Sequence, residues 1–258
     1  MTDEARRFGR FDLGGRVFIG EVEGDDAVEL PASSMVDLGG GMPERTSARH
    51  PLRDLRVLAP VMSPSKIICV GLNYRSHIEE MGWDVPKAPI IFSKPPSAII
   101  GPGQEIVLPP SSSRVDYEGE SAVIIGRIAR HAKMGLDHIL GYTALNDVTA
   151  RDLQEVDPDW TRAKGFDTFA PMGPFVSTAP PSTVVTRLNG KEVQRSPLSD
   201  RVFGDAELVE YISSIMTLFP GDIIATGTPS GISPIGPGDV VEVELDGIGC
   251  LRNVVVGL

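Results

Sequence analysis

Three carboxylates stand at alternate positions in RVDYEGESAVIIG, residues 114–126: Asp116, Glu118 and Glu120. In an extended chain successive side chains take opposite faces, so all three point one way while Tyr117 and Gly119 point the other. Beside a buried run, such a face must protonate, stay wet or hold a cation. A solvated edge strand is the plain alternative, but SAVIIG is apolar on both faces, which predicts a central strand. A second acidic loop, LNDVTARDLQ, follows and could bring Asp147 or Asp152 alongside. An all-oxygen set selects a hard cation, Mg²⁺ first and Mn²⁺ or Ca²⁺ after it. The histidines, His50, His77, His131 and His138, are scattered, with no HExxH or paired CxxC to gather a zinc site. Octahedral Mg²⁺ on three carboxylates keeps three positions for water or a chelating substrate, which suits catalysis better than structure.

The elements that must position these acids are mostly strands. Short β-like runs punctuated by Pro and Gly recur from Val57 onward: KIICVG, PIIFSK, EIVLP, ESAVIIG, PFVST, STVVTRLNGKEVQR, GDIIATG and DVVEVELDGIGCLRNVVVG. Asn189-Gly190 and Asp246-Gly247 predict two-residue hairpin turns. RVFIGEVEGDDAVELP predicts a further hairpin near the start, and the Gly-, Ser- and Pro-rich residues 33–56 a linker. The clearest helix is GDAELVEYISSIMTLFPGD, with Asp205 as its N-cap and Leu208, Ile212, Ile215 and Met216 on its apolar face. NYRSHIEEMG and TARDLQEV predict shorter ones. No βαβ alternation or repeat is present. The expected fold class is α+β, mostly β, with a small N-terminal domain and linker over 1–60 and a catalytic domain over 61–258.

Composition narrows the partners. With 258 residues, 41% of them hydrophobic, one sizeable core is within reach, and a formal charge of -11 opposes nucleic acid and anionic membranes. Cys69 and Cys250 lie in apolar runs and predict buried thiols rather than a disulfide framework. No signal core and no 18-residue apolar stretch is present, so a cytoplasmic protein is expected. LGGGMP lacks the context of a dinucleotide fingerprint, ATGTPSG lacks the P-loop lysine, and no GxSxG elbow occurs.

GLNYRSHIEEMG, FSKP, DYEGESAVIIGR, GYTALNDVTARDLQ, AKGFDTFAPMGPF and LFPGDIIATGTPSG, over residues 66–232, occur in an order and spacing that resemble the fumarylacetoacetate hydrolase superfamily. The resemblance implies a mixed β-sandwich-like roll, a divalent metal, usually Mg²⁺, substrates that are 2-oxo or 2-enol carboxylates, and a homodimer. It places the metal on Glu118, Glu120 and Asp147, and makes Asp116 a solvated or supporting acid and Asp152 a structural one. It implies an acid/base pair of His77 and Glu80 on a short helix closing over the metal, and substrate contacts from Lys164, Thr228, Arg151 and Gln154, with Lys164 also among the catalytic groups.

The residues agree on chemical grounds. Three positions apart on a helix, Glu80 can orient His77 and raise its basicity, and Gly71 and Gly82 bracket the segment as candidate hinges. Trp83 either lines the pocket or packs beneath the lid. The expected activity is Mg²⁺-dependent C–C hydrolysis or decarboxylation of acylpyruvates, fumarylpyruvate or oxaloacetate. The alternatives are an isomerase of hydroxymuconate-type dienoates and, in another class, a non-catalytic metal-binding protein.

Overall fold

A computed structural model describes residues 5–41 and 43–258. The short apolar runs pair into two main sheets. Five strands order as Lys191–Pro197, Thr183–Leu188, Val240–Leu245, Gly249–Gly257 and Glu105–Leu108. Among the described residues the larger sheet has twelve strands, and from Ala170–Ser177 it runs through Ile139–Asn146, Gly119–Ile125, Ile223–Ala225 and Ile67–Gly71 to Ile90–Lys94 at one edge. Val123, Ile125 and Ala144 of the large sheet meet Val184, Val243 and Leu245 of the small one in a shared core. The result is α+β and mostly β. At the other end, Arg7–Leu13, Arg16–Glu23 and Asp26–Glu29 form an antiparallel meander, and Arg7–Leu13 pairs with Ala170–Ser177 to continue the large sheet.

Among the described residues there are four α-helices: α1 (Arg75–Met81), α2 (Arg151–Val156), α3 (Thr161–Lys164) and α4 (Asp205–Ile215). Helix α4 buries Leu208, Val209 and Ile212 in the shared core, as its 3.6-residue spacing requires. Among the described residues no helix is long and apolar enough to cross a membrane.

Several local expectations change. Gly204 occupies the N-cap of α4 and Asp205 its first turn, where the carboxylate meets Arg201 at 2.6 Å instead of capping; Ile215, at the last position, is exposed. Residues 33–56 are more than a linker, since Arg49–Pro51 pairs with Asp26–Glu29 and Arg56–Leu58 follows to pair with Arg7–Leu13. Asn189-Gly190 makes the two-residue turn, both at positive φ. The second hairpin has a three-residue loop, because Leu245 pairs with Gly249. Cys69 is buried but Cys250 is exposed: alternation in Gly249–Gly257 turns Leu251, Asn253 and Val255 inward.

The acidic strand also divides. Val115–Asp116 pairs with Thr149–Ala150, Gly119–Ile125 joins the large sheet, and Tyr117 and Glu118 form the link. The break sits at Gly119, whose missing side chain matters: a Cβ there would lie 2.0 Å from Thr186 Oγ1. Its N–H leaves the ladder and donates to Gln194 Oε1 at 3.1 Å. Beyond the break every residue of Gly119–Ile125 is buried, as a central strand demands.

Candidate metal and substrate site

Strand pairing brings the acids together. Glu118 and Glu120 flank Gly119, which lies opposite Asn146, and Asp147 follows immediately. The Asp147 N–H donates to the Glu118 carbonyl at 2.8 Å, and the Glu118 N–H to Asn146 Oδ1 at 2.9 Å. Glu118, Glu120 and Asp147 each offer an oxygen within 4.8 Å of the others, and all three are buried.

Two of the three carboxylates are fully matched by cations. Lys164, at the end of α3, donates to Glu118 Oε2 and to Asp147 Oδ2, both at 2.8 Å. Arg151, at the start of α2, takes Glu118 Oε1 at 2.5 Å, and Lys94 takes Asp147 Oδ1 at 2.6 Å. Glu120 has no salt bridge among the described residues; one oxygen accepts the Gly227 N–H at 2.7 Å. The electrostatics follow. Burial pushes the Glu118 carboxyl up, yet Lys164 and Arg151 outweigh it and hold it at about 2. Burial disfavours charge on Lys164, and Asp147 and Glu118 keep its ammonium above the usual lysine range. Glu120 is pushed well above the carboxylate range, by its burial first and then by Asp147 and Glu118. A buried carboxylate facing two others with no cation of its own is what a divalent ion would satisfy, and three oxygen donors suit Mg²⁺ or Mn²⁺.

The other predicted residues divide in their surroundings. His77 lines the same cavity, of about 330 Å³, as the three acids, and its Nδ1 lies 3.0 Å from Glu80 Oε2. Glu80 also receives the Gly231 N–H, at 3.2 Å to Oε1, which ties α1 to the 226–235 loop. Gln154 accepts from Arg151 Nη1, so its oxygen is held and its amide nitrogen makes no hydrogen bond among the described residues. Thr228 is committed to the scaffold: its hydroxyl donates to the Gly119 carbonyl and accepts from Gln194, both at 2.9 Å. Asp116, fully buried, binds Arg151 Nε at 2.9 Å and so steadies the guanidinium that grips Glu118. Asp152 lies apart from the acids; burial pushes its carboxyl up, but hydrogen bonds from Ser112 and Ser113 outweigh it and hold it at about 2. Trp83 lines the cavity and is half-exposed. At the candidate hinges, Gly82 is left-handed at φ 66°, but at the other end the positive φ belongs to Leu72, 55°. Gly71 instead makes room for the Trp160 ring, which a Cβ would approach to 2.9 Å.

Sequence reasoning passed over Lys94 and Asn146. Lys94 ends a mostly apolar strand and precedes Pro95, and a lysine closing such a strand was the available signal. Nothing in the spacing marked Asn146 as the amide that anchors Glu118.

Comparison with known proteins adds an independent line. The family described as fumarylacetoacetate (FAA) hydrolase C-terminal matches residues 66–256, and one described as Rv2993c-like, N-terminal, matches residues 6–60. Protein Rv2993c of Mycobacterium tuberculosis is 45% identical over 260 residues, covering 97% of this chain and 98% of that protein. The mitochondrial oxaloacetate tautomerase FAHD2A of Bos taurus is 42% identical over 223 residues, 80% of this chain and 71% of that protein. Among solved structures, the 2-hydroxyhepta-2,4-diene-1,7-dioate isomerase of Mycobacterium marinum superposes with a TM-score of 0.88 at 41% identity, covering 98% of each chain.

Proposed function

The chain belongs to the fumarylacetoacetate hydrolase family, and on that premise we propose that it is a metal-dependent enzyme that moves a proton at the carbon beside the oxo group of a 2-oxo carboxylate, a tautomerase or isomerase. The observation that carries the reading is the meeting, in one cavity, of a buried triad with an unmatched carboxylate and a histidine backed by a glutamate. The names of the bovine and mycobacterial relatives support proton transfer ahead of bond cleavage.

Glu118, Glu120 and Asp147 would hold the ion, Mg²⁺ first. Such an ion, when bound, polarises a 2-oxo group and makes the adjoining C–H more acidic. Gln154, its oxygen fixed by Arg151, presents its amide N–H groups to an acceptor on the substrate. With Nδ1 of His77 donating to Glu80, Nε2 is the basic nitrogen. The C3 proton passes to Nε2, the C–H pair becomes the C2=C3 double bond, and the proton returns to the 2-oxygen. Lys164 donates to Glu118 and to Asp147 and so holds the two carboxylates in place.

C–C hydrolysis or decarboxylation of the same acids is the second reading, supported by the description of the matching family. For hydrolysis His77 would take its proton from a water. Product analysis in D₂O separates the readings: a tautomerase puts deuterium at C3 and otherwise conserves mass, a hydrolase adds water, and a decarboxylase loses CO₂. C3 exchange that needs Mg²⁺ and stops with chelator is the expected result. Water addition or CO₂ loss at a rate exceeding exchange would overturn it in favour of cleavage.

A further inference from the structure

We infer that Tyr117 is a positioning residue for the His77–Glu80 pair and acts through the backbone of Gly231; this rests on the acid/base reading of that pair above. The two halves of the site belong to different elements. The carboxylates lie around Gly119, at the start of a central strand, whereas the imidazole rides on the seven-residue helix α1. Proton transfer needs the two held within about 0.5 Å of the productive geometry.

Glu80 cannot supply that precision alone. Its side chain is 40% exposed, and its carboxylate has two hydrogen-bond partners among the described residues. One is His77 itself. The other is the Gly231 N–H, 3.2 Å from Oε1 and 3.4 Å from Oε2. Without the second, the carboxylate is free to turn to water and release the imidazole.

The direction of that N–H is fixed from several sides. Tyr117, fully buried, donates its hydroxyl proton to the Gly231 carbonyl at 2.6 Å. Ser233 donates to the Tyr117 oxygen at 2.9 Å, which leaves the tyrosine's one proton for Gly231. Gly231 sits at φ 99°, where a Cβ would come within 2.3 Å of the Val193 carbonyl oxygen. Beyond it the loop is zipped along the acidic segment: Pro234 bridges Asp116, and the Ile235 N–H donates to the Val115 carbonyl at 2.9 Å. Adjacent residues therefore serve the two halves. Glu118 lines the cavity, while Tyr117 turns away into the core and holds the loop that holds Glu80.

Tyr117→Phe keeps the ring and removes the hydroxyl. Two quantities are read on the Mg²⁺-loaded protein. The first is the His77 tautomer, from the ring nitrogen chemical shifts at about pH 9, where an ordinary imidazole is neutral; the signal is identified by its loss in His77→Ala. The second is steady-state turnover of oxaloacetate, the acid in the bovine relative's name. In wild type the proton is expected on Nδ1, facing Glu80. In Tyr117→Phe the two tautomers should mix, kcat should fall about tenfold and KM should stay within about twofold. With Glu80→Ala already in place, Tyr117→Phe should change kcat by less than about twofold, because the path through Glu80 is gone. A purely structural role would lower both backgrounds alike. An equal loss in the two backgrounds, or an unchanged tautomer in Tyr117→Phe, would overturn the inference. A mixed tautomer with unchanged turnover, or with no turnover of oxaloacetate by wild type, would leave the positioning standing and count against the proposed activity. If Tyr117→Phe does not fold, Ser233→Ala carries the same test, with a loss of about two- to threefold in kcat expected and an unchanged tautomer as the contrary result.

Discussion

Two buried glutamates, Glu21 in the N-terminal meander and Glu120 in the large sheet, are 3% and 2% exposed, yet their surroundings are opposite. Glu21 is gripped by Arg6 at 2.7 Å and Arg45 at 2.7 Å. Burial raises its carboxyl, the two guanidinium groups outweigh that, and the net shift is downward. Glu120 has one backbone N–H for company, two carboxylates for neighbours, and an upward shift. A protein that can match Glu21 with two arginines has the means to match Glu120 as well. The difference is what the proposed cation at the second site would account for.

The contrast can be broken at several strengths. The largest effect belongs to the acids: Glu118→Ala or Glu120→Gln should lower turnover at least about a thousandfold, because on the proposed reading several kcal/mol of charge stabilisation depend on an ion held there. Glu21→Gln should leave turnover within a factor of two, and steady-state rates on a 2-oxo carboxylate check both. His77→Ala comes next, with an expected cost of about 10²–10⁴-fold in rate and an intact melting-temperature rise on adding Mg²⁺; that split would separate the proposed base from the proposed metal site. Third, Glu21→Gln should cost roughly 1–3 kcal/mol of stability by replacing charge-assisted hydrogen bonds, read from urea unfolding.

The smallest effect is a difference in the sign of pH dependence. Glu21, with its folded pKa lowered, adds stability that is present above the unfolded carboxyl value near 4.5 and is lost as pH falls through the folded one. Glu120, with its folded pKa raised, contributes stability that is full below 4.5 and is lost as pH rises through the folded value. In chelator at pH 7, Glu120→Gln should therefore be more stable than wild type, with the gap closing below pH 4.5. Glu21→Gln should be less stable, and its deficit should shrink on acidification. Matching slopes for the two variants would remove the contrast.

What the sequence made legible follows from periods and spacing. Glu118 and Glu120 bracket one residue of an extended chain, so their common face needed no knowledge of the fold, and the apolar run behind them announced a central strand. Asp147 was one of two acids in its loop, and the choice between Asp147 and Asp152 depended on a register, Gly119 opposite Asn146, that periodicity does not encode. Lys94 was invisible as a partner for a similar reason. Its strand is separated from Asp147 by 53 positions in the chain, and only the folded sheet sets its ammonium on that carboxylate. The split of the acidic strand also escaped, because the cause is a contact, Thr186 against Gly119, rather than a pattern. Cys250 was misplaced by composition alone, since an apolar run in a strand with one solvated face still puts every second side chain outside.

The most direct test of the unmatched-acid account is the melting temperature of wild type, Glu120→Gln and Glu21→Gln with and without saturating Mg²⁺ or Mn²⁺. A ligand that binds only the folded state must raise it. The account predicts a clear rise for wild type and for Glu21→Gln, and none for Glu120→Gln. An equal rise in all three, or none in any, would contradict the assignment of Glu118, Glu120 and Asp147 as the place where the cation binds.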